Sequence, residues 1–325
     1  MSTQAKPALA DDVDKSIAIL KPDGTLLALA QSKTPQSKTQ SSNAVLPIYS
    51  LTKTFLAAAV MDCGININLP ISRWFEKTLV PRGGEITVAQ LLTHSSGIPD
   101  YFSASPAYSA AVLAAQQATP ASNTSATETA TKAPWSDEVF AEHTLRQPLI
   151  FEPGSGFSYS NPNYWLLGRI LERETDCSVA EVVQEHIAKP LGLESMRWAE
   201  GIFAKDLPNY ASGWVWHGLL LGSALDVARF MASPLIDALR SQPVDVPGSH
   251  PDWVRPQYGY GLMIEPGECF GHNGEGPGYS ASCFHFNQSK HTLCVLRRSP
   301  NSGAPGDNEG TALQDLRALY RQITT

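Results

Sequence analysis

Three short clusters in this chain carry side chains suited to acyl-transfer chemistry. Ser50-Leu51-Thr52-Lys53 sets a hydroxyl three residues before an amine, at the head of an apolar run from Phe55 to Met61. If that run is helical, residues three apart share a face, so hydroxyl and amine are neighbours. Burial disfavours the charged form of a lysine, which leaves its amine able to take a proton. The positive end of a helix favours negative charge developing at a serine placed there. A serine is inert without such help, and an adjacent base is one way to activate it. Taken alone, the tetrapeptide reads better as a helix start with a lysine reaching for solvent.

The other two clusters are Tyr159-Ser160-Asn161 and His272-Asn273-Gly274, followed by Glu275. A tyrosine can pass a proton between nucleophile, base and leaving group, and an asparagine can hold an amide or an amine. Read singly, Tyr159 is a core tyrosine, Asn161-Pro162 a turn, and His272 a strand residue facing solvent. His94 has no acid or cysteine near it in sequence and reads as a hydrogen-bonded structural histidine. Asp226, in Ser223-Ala224-Leu225-Asp226, reads as part of a helix cap.

These clusters fall on different kinds of element. Residues 16–30 read as two strands around Pro22-Asp23-Gly24, where Pro presets φ and Gly supplies positive φ. The Ser50 segment reads as a buried helix ending near Gly64. Thr87 caps a short helix towards His94, and Ser136 caps another. Tyr164 to Glu174 and Val179 to Ile187 are helical by pattern, and Pro190 stops the second. Residues 103–133, biased towards Ala, Ser and Thr, read as a flexible excursion, and 236–256, with several prolines, as loop. Strand patterns separated by Gly turns follow from Tyr258 to Leu296 and imply an antiparallel meander. In the tail, Leu313, Leu316, Leu319 and Ile323 share one helical face, as if covering a sheet.

Strands at both ends with helices between them predict an α/β (α+β) fold. An antiparallel sheet is flanked by helices and carries an all-helical inserted lobe. The expected division is 1–70 with 213–325 as the α/β lobe and 71–212 as the mainly helical one. A site is expected where the lobes meet.

The chain has 325 residues, 42% of them apolar, and a net charge of -7. That allows a full core and argues against nucleic acid as a partner, since phosphate backbones need a basic face. No apolar segment is long enough to span a membrane. Met1 to Asp14 holds one lysine and no apolar centre, so it is not an intact secretory signal. A cytoplasmic location is expected, or a periplasmic or secreted one if the chain is trimmed. The five cysteines lack metal-ligand spacing and read as free thiols, with Cys269 and Cys283 the one pair that could meet across a hairpin. No cofactor is called for, the expected partner is a small molecule or short peptide, and the oligomeric state is open.

Together, in this order, the three clusters resemble the serine β-lactamase and penicillin-binding-protein superfamily, in its class C β-lactamase, DD-peptidase and esterase branch. The flanks agree: Leu91-Leu92-Thr93-His94-Ser95-Ser96-Gly97, Glu152-Pro153-Gly154, and Gly271-His272-Asn273-Gly274-Glu275-Gly276-Pro277-Gly278-Tyr279. The resemblance covers roughly residues 16–300 and implies a β-lactamase/transpeptidase-like fold. By the same resemblance, Ser50 is the nucleophile, Lys53 its base and Tyr159 the proton carrier. Asn161 holds the substrate amide or the lysine. His272 stands where class C β-lactamases have a lysine and donates towards Tyr159. The backbone N–H groups of Ser50 and Glu275 form the oxyanion hole. Glycines at 274 and 276 let a substrate lie along the strand.

The departures bear on substrate. Asn273 stands where the family often has Thr or Ser, and Glu275 follows, so a substrate carboxylate would meet repulsion. Efficient β-lactam hydrolysis is therefore not expected. A neutral ester or amide, or a peptide with a free amine, fits better. Tyr101, Phe102, Trp214, Trp216 and Trp253 lie in loops that could rim the pocket; such residues are more often partly buried packing, but an apolar acyl group would suit them. Three readings stay open: a serine hydrolase on esters, amides or D-amino-acid peptides, an acyltransferase of the same fold, or a slow β-lactam-binding sensor.

Overall fold

The structure, a computed structural model, describes residues 13–32, 44–117, 134–199, 212–248, 253–276, 278–298 and 309–324. Strands β1 (Val13–Leu20) and β2 (Leu26–Ser32) make the first hairpin. Its turn follows from the sequence: Gly24 takes φ +82°, and the Asp23 carboxylate accepts from the Thr25 N–H at 2.8 Å. Strand β3 (Val45–Pro47) then leads through a 3-10 turn, Tyr49–Leu51, into α1 (Thr52–Asp62). Every residue of α1 from Thr52 to Val60 is buried, as a helix apolar all round requires.

Helix α2 (Val88–Leu92) starts in a full capping box between Thr87 and Gln90. Then come α3 (Tyr101–Ala104) and α4 (Pro106–Gln117). The flexible excursion expected at 103–133 is therefore helical as far as Gln117. Its alanines, counted as loose composition, are strong helix formers. The rest of it, 118–133, lies outside the described residues. Helix α5 (Asp137–Phe140) is capped by Ser136, and α6 (Asn161–Thr175) carries Pro162 in its first turn. Helix α7 (Val179–Val183) is followed by strands β4 (Arg197–Trp198) and β5 (Leu220–Ser223). Short β4 is one departure from an all-helical 71–212.

Helix α8 (Ala224–Met231) is capped by the Ser223 hydroxyl, while Asp226 accepts from the N–H and the hydroxyl of Ser195 at 2.8 and 2.6 Å. Helix α9 (Leu235–Leu239) and strand β6 (Val244–Asp245) lie in the stretch expected to be loop. The meander follows as β7 (Gln257–Tyr258), β8 (Met263–Glu265), β9 (Cys269–Gly276), β10 (Tyr279–Phe286) and β11 (Thr292–Arg298), and α10 (Glu309–Thr324) closes the chain.

The strands form one eight-stranded antiparallel sheet in the order β2-β1-β11-β10-β9-β8-β7-β6, and a small sheet β3-β5-β4. One face of the large sheet meets the main core, which includes Leu56 of α1, Leu166 of α6 and Phe230 of α8. The other face, with Phe284, Leu293 and Val295, is covered by Leu313 and Leu316 of α10. The periodicity of the tail foretold that cover. The register puts Cys269 opposite Phe286 and Cys283 opposite His272, so these two thiols do not meet, and all five cysteines are free.

Candidate active site

Ser50 lies in the 3-10 turn ahead of α1, and the backbone around it is tightly held. The Ile48 N–H donates to Leu220 O at 3.0 Å, the Leu51 N–H to Ile48 O at 3.1 Å, and the Leu220 N–H to the Thr52 hydroxyl at 3.1 Å. Tyr49, just before the serine, takes φ +44°, a left-handed conformation rare for a ring-bearing residue. Strain of this kind persists only where neighbours over-determine it, and here it lifts Ser50 to partial exposure between buried residues.

Lys53 is fully buried, and its Nζ donates to Ser50 Oγ at 3.0 Å. Its Nζ is 4.9 Å from the ring centre of Tyr159 and 5.8 Å from that of Tyr164. The one-turn spacing thus places amine and hydroxyl in contact, as expected, and brings Tyr159 over them.

Tyr159 is held by a histidine that sequence reasoning left in the background. The Ser160 N–H donates to His94 Nδ1 at 3.1 Å, the Ser158 N–H donates to His94 O at 3.0 Å, and the rings of His94 and Tyr159 are 4.3 Å apart. His94 is completely buried and takes φ +56°. Burial, helped by the nearby Lys53, holds its imidazole well below the usual pKa and so neutral. It is structural, as read, but its place is inside the site.

Asn161 is fixed by Asp100, which the sequence did not single out. Asp100 Oδ1 accepts from the Asn161 backbone N–H at 2.7 Å and from its Nδ2 at 2.9 Å. Because a carboxylate only accepts, the amide orientation is determined. Asn161 Oδ1 is buried without a hydrogen-bond partner. Burial raises the Asp100 pKa despite these bonds.

His272 departs from its expected role. Its Nε2 is 2.9 Å from the Tyr258 hydroxyl and its Nδ1 contacts the Asn273 carbonyl. Its ring centre is 6.5 Å from that of Tyr159. Burial and Lys53 lower its pKa to about 3.

The glycines also serve another end. A Cβ on Gly274 would lie 2.1 Å from Ile48 O and 3.1 Å from Ser50 N, and one on Gly276 would strike the Tyr49 ring. They let β9 approach the nucleophile's backbone. Strand β8 pairs with β9 only as far as Gly271, so residues 272–276 have no β8 partner along that edge.

The reactive groups open into a cleft of about 380 Å³. Ser50, Tyr159 and His272 line it, with Phe157, Val246, Trp253, Met263 and Ile264 as its apolar lining. Asn273, Gly274 and Glu275 line the strand side. Of the five aromatics that could rim it, only Trp253 lines it. Tyr101 and Trp214 pack around Tyr108, Phe102 lies beside them, and Trp216 stacks on Phe140 at 4.1 Å. A larger cavity of about 550 Å³ between α6, α7 and residues 213–219 includes none of Ser50, Lys53 and Tyr159. Chemistry, not size, marks the site.

Comparison with known proteins gives the family and the fold. The family model described as Beta-lactamase matches residues 16–317. The chain belongs to the Beta-lactamase family. A D-aminopeptidase of Cereibacter sphaeroides (strain ATCC 17023) is 24% identical over 278 residues, covering 77% of this chain and 49% of that protein. The structure of a D-amino acid amidase from Ochrobactrum anthropi SV3 superposes with a TM-score of 0.71 at 19% identity, covering 96% of both chains. That of a penicillin-binding protein homologue from Pyrococcus abyssi gives 0.69 at 26% identity, over 95% of this chain and 74% of the other. The chain spans only 26 to 61% of the length of the first three curated relatives it matches. Among the described residues, no helix is long and apolar enough to cross a membrane.

Proposed function

We propose that this member of the Beta-lactamase family is a serine hydrolase that forms an acyl-enzyme on Ser50. Its substrate is an ester, amide or D-amino-acid peptide with an apolar acyl group, in preference to a β-lactam. The observation that carries the reading is the 3.0 Å contact between Nζ of the fully buried Lys53 and Ser50 Oγ at the head of α1. Reversed, the same contact lets the amine take the hydroxyl proton as Oγ attacks the carbonyl carbon. The resulting oxyanion is held by the N–H groups of Ser50 and Glu275. The proton passes by way of Tyr159 to the leaving group, and water then attacks the acyl carbon by the reverse route. The apolar lining of the cleft supports the acyl assignment. The names of the D-aminopeptidase and D-amino acid amidase relatives support an amide bond beside a D-centre. The same reading places the lobe boundary, 1–70 with 213–325 against 71–212, across the cleft.

The test is a substrate panel: p-nitrophenyl acetate, nitrocefin, and D- and L-phenylalanine amides, with intact-mass detection of the acyl-enzyme. Ester or D-amide turnover with an adduct on Ser50 is expected. The absence of both turnover and adduct refutes a hydrolase, fast nitrocefin turnover refutes the substrate assignment, and product formed only with an acceptor alcohol present assigns a transferase.

A further inference from the structure

His272 has two ring nitrogens and both are engaged, which leaves little freedom in how its hydrogen is placed. The Asn273 carbonyl can only accept, so Nδ1 carries the hydrogen. A neutral ring then offers a lone pair at Nε2, to which the Tyr258 hydroxyl, itself beside the Tyr164 hydroxyl, can donate across 2.9 Å. The groups facing the ring from elsewhere are Lys53 from α1, Tyr159, and the buried His94 and His217. None of them is a carboxylate that would hold an imidazolium.

The position of this chain of bonds in the sheet gives it a purpose. Tyr258 is on β7 and Asn273 on β9, and β8, which separates those strands, stops pairing with β9 at Gly271. Beyond Gly271, where β8 pairing has ended, the Asn273 carbonyl meets the His272 ring. Two residues further on is Glu275, whose N–H is assigned to the oxyanion hole.

We propose that Tyr258 and His272 form a strut from β7 to β9 that takes the place of the missing β8 pairing and holds the β9 edge against Ser50, with Tyr258 the positioning residue. His272 then neither donates a proton to the reaction nor presents a cation to substrate. The proposal rests on the serine-hydrolase reading for its kinetic consequence, though not for its geometry. Tyr258→Phe removes the hydroxyl that orients the ring. The oxyanion donor loosens, so the effect falls on the transition state: kcat drops roughly fivefold to tenfold and KM stays within twofold.

Two measurements on the whole chain test it. Long-range proton–nitrogen correlation of the imidazoles at neutral pH, assigned with a His272→Gln variant, is expected to show His272 neutral with its hydrogen on Nδ1. This needs no turnover, so it separates the strut from the hydrolase reading. The hydrogen on Nε2, or a charged ring, overturns the proposal. Second, kcat/KM against pH for an ester is expected to have the same limbs in wild type and His272→Gln, whatever the height of the curves. A limb between pH 5 and 8 present only in wild type overturns it, as does an unchanged kcat in a folded Tyr258→Phe protein. If the wild type turns over nothing while the imidazole spectra are as expected, the strut stands and the hydrolase reading fails.

Discussion

Gly274→Ala is the most direct perturbation of the distance between nucleophile and strand. The new Cβ would lie 2.1 Å from Ile48 O, 3.0 Å from the Ile48 carbonyl carbon and 3.1 Å from Ser50 N. All three are backbone atoms, so no side chain can swing aside. Carbon–oxygen contacts are not found below 3.0 Å, so β9 and the Ile48–Ser50 turn must part by about 1 Å. The turn is anchored by Leu220 and α1, and Tyr49 already sits at positive φ, so the strand edge is what yields. A displacement of about 1 Å at a reacting centre costs on the order of 100-fold in rate. Overpacking of this kind costs about 1–3 kcal/mol of stability. The assay is ester turnover with intact-mass timing of acylation, beside a thermal melt. Gly84→Ala is the control, since the nearest atom to its Cβ is Ser72 Oγ at 3.8 Å, and it should change neither quantity. A folded Gly274→Ala protein acylating within threefold of wild type would refute the argument that this packing sets the catalytic distance.

Ser50→Ala should abolish the acyl adduct, and Lys53→Ala and Tyr159→Phe should each lower kcat by about 100-fold or more, without adding to the Ser50→Ala effect, because the three act as a unit. Mass spectrometry with each substrate checks this. Asp100→Ala leaves the buried N–H groups of Asn161 without an acceptor and should cost about 1–3 kcal/mol in chemical denaturation as well as activity. Unchanged stability would remove Asp100 from the site's support. His94, His217 and His272 are all buried with pKa values below 6.5, that of His272 at about 3. The unfolded chain therefore binds more protons than the folded one, and stability is lost as pH falls below about 6.5. Three such groups approach about 4 kcal/mol per pH unit, opposed in part by Asp100, whose raised pKa favours the folded form in acid. Melting temperatures at pH 7, 6 and 5 that fail to decline would contradict the burial of these rings in neutral form.

How far the sequence announced this site depends on the reach of each interaction. Ser50 and Lys53 are one helical turn apart, so their spacing put them on one face, and it took the other two clusters to favour contact over a lysine reaching for solvent. The meander and the tail helix follow from periods of two and 3.6 residues, which are local. Asp100 binds Asn161 across 61 residues, and His94 meets Ser160 across 66. No local pattern connects them, although His94 stands in a stretch already matched to the family. Tyr258 was read only as a strand residue, because its function lies in its hydroxyl and in the early end of β8. For the loop aromatics the commoner of the two readings holds for an energetic reason: large rings gain most from burial, and Tyr101 and Trp214 are buried and Trp216 is partly buried against the core rather than at the rim. Gly274 was assigned to substrate access, whereas its lack of a side chain is needed by the protein's own backbone.

The site's charge pattern links its architecture to its choice of substrate. Around the fully buried Lys53 stand His94, His217 and His272, all neutral, and the rings of Tyr159 and Tyr164. Asp100 is close enough to feel the lysine, but its Oδ1 is bonded to Asn161 and its Oδ2 to the Phe102 N–H. A penicillin-like or C-terminal-peptide carboxylate entering the cleft would find a neutral histidine at the third cluster and Glu275 beside it. Among the described residues lining the cleft there is no Lys or Arg, so with these it would lose hydration without a counter-charge. An ester or amide carries no such charge and can bury its acyl group against Phe157, Val246, Trp253 and Met263. A histidine at 272, where the family resemblance implies a lysine in class C enzymes, does two things together: it offers no cation to welcome a carboxylate, and it supplies a planar neutral ring able to tie Tyr258 to the β9 edge. His272→Lys separates them. It introduces a cation but cannot accept from the Tyr258 hydroxyl, so kcat/KM should rise for a carboxylate-bearing ester relative to its neutral analogue while kcat for both declines. If the neutral ester keeps its full kcat in that variant, charge alone accounts for residue 272 and no strut is needed.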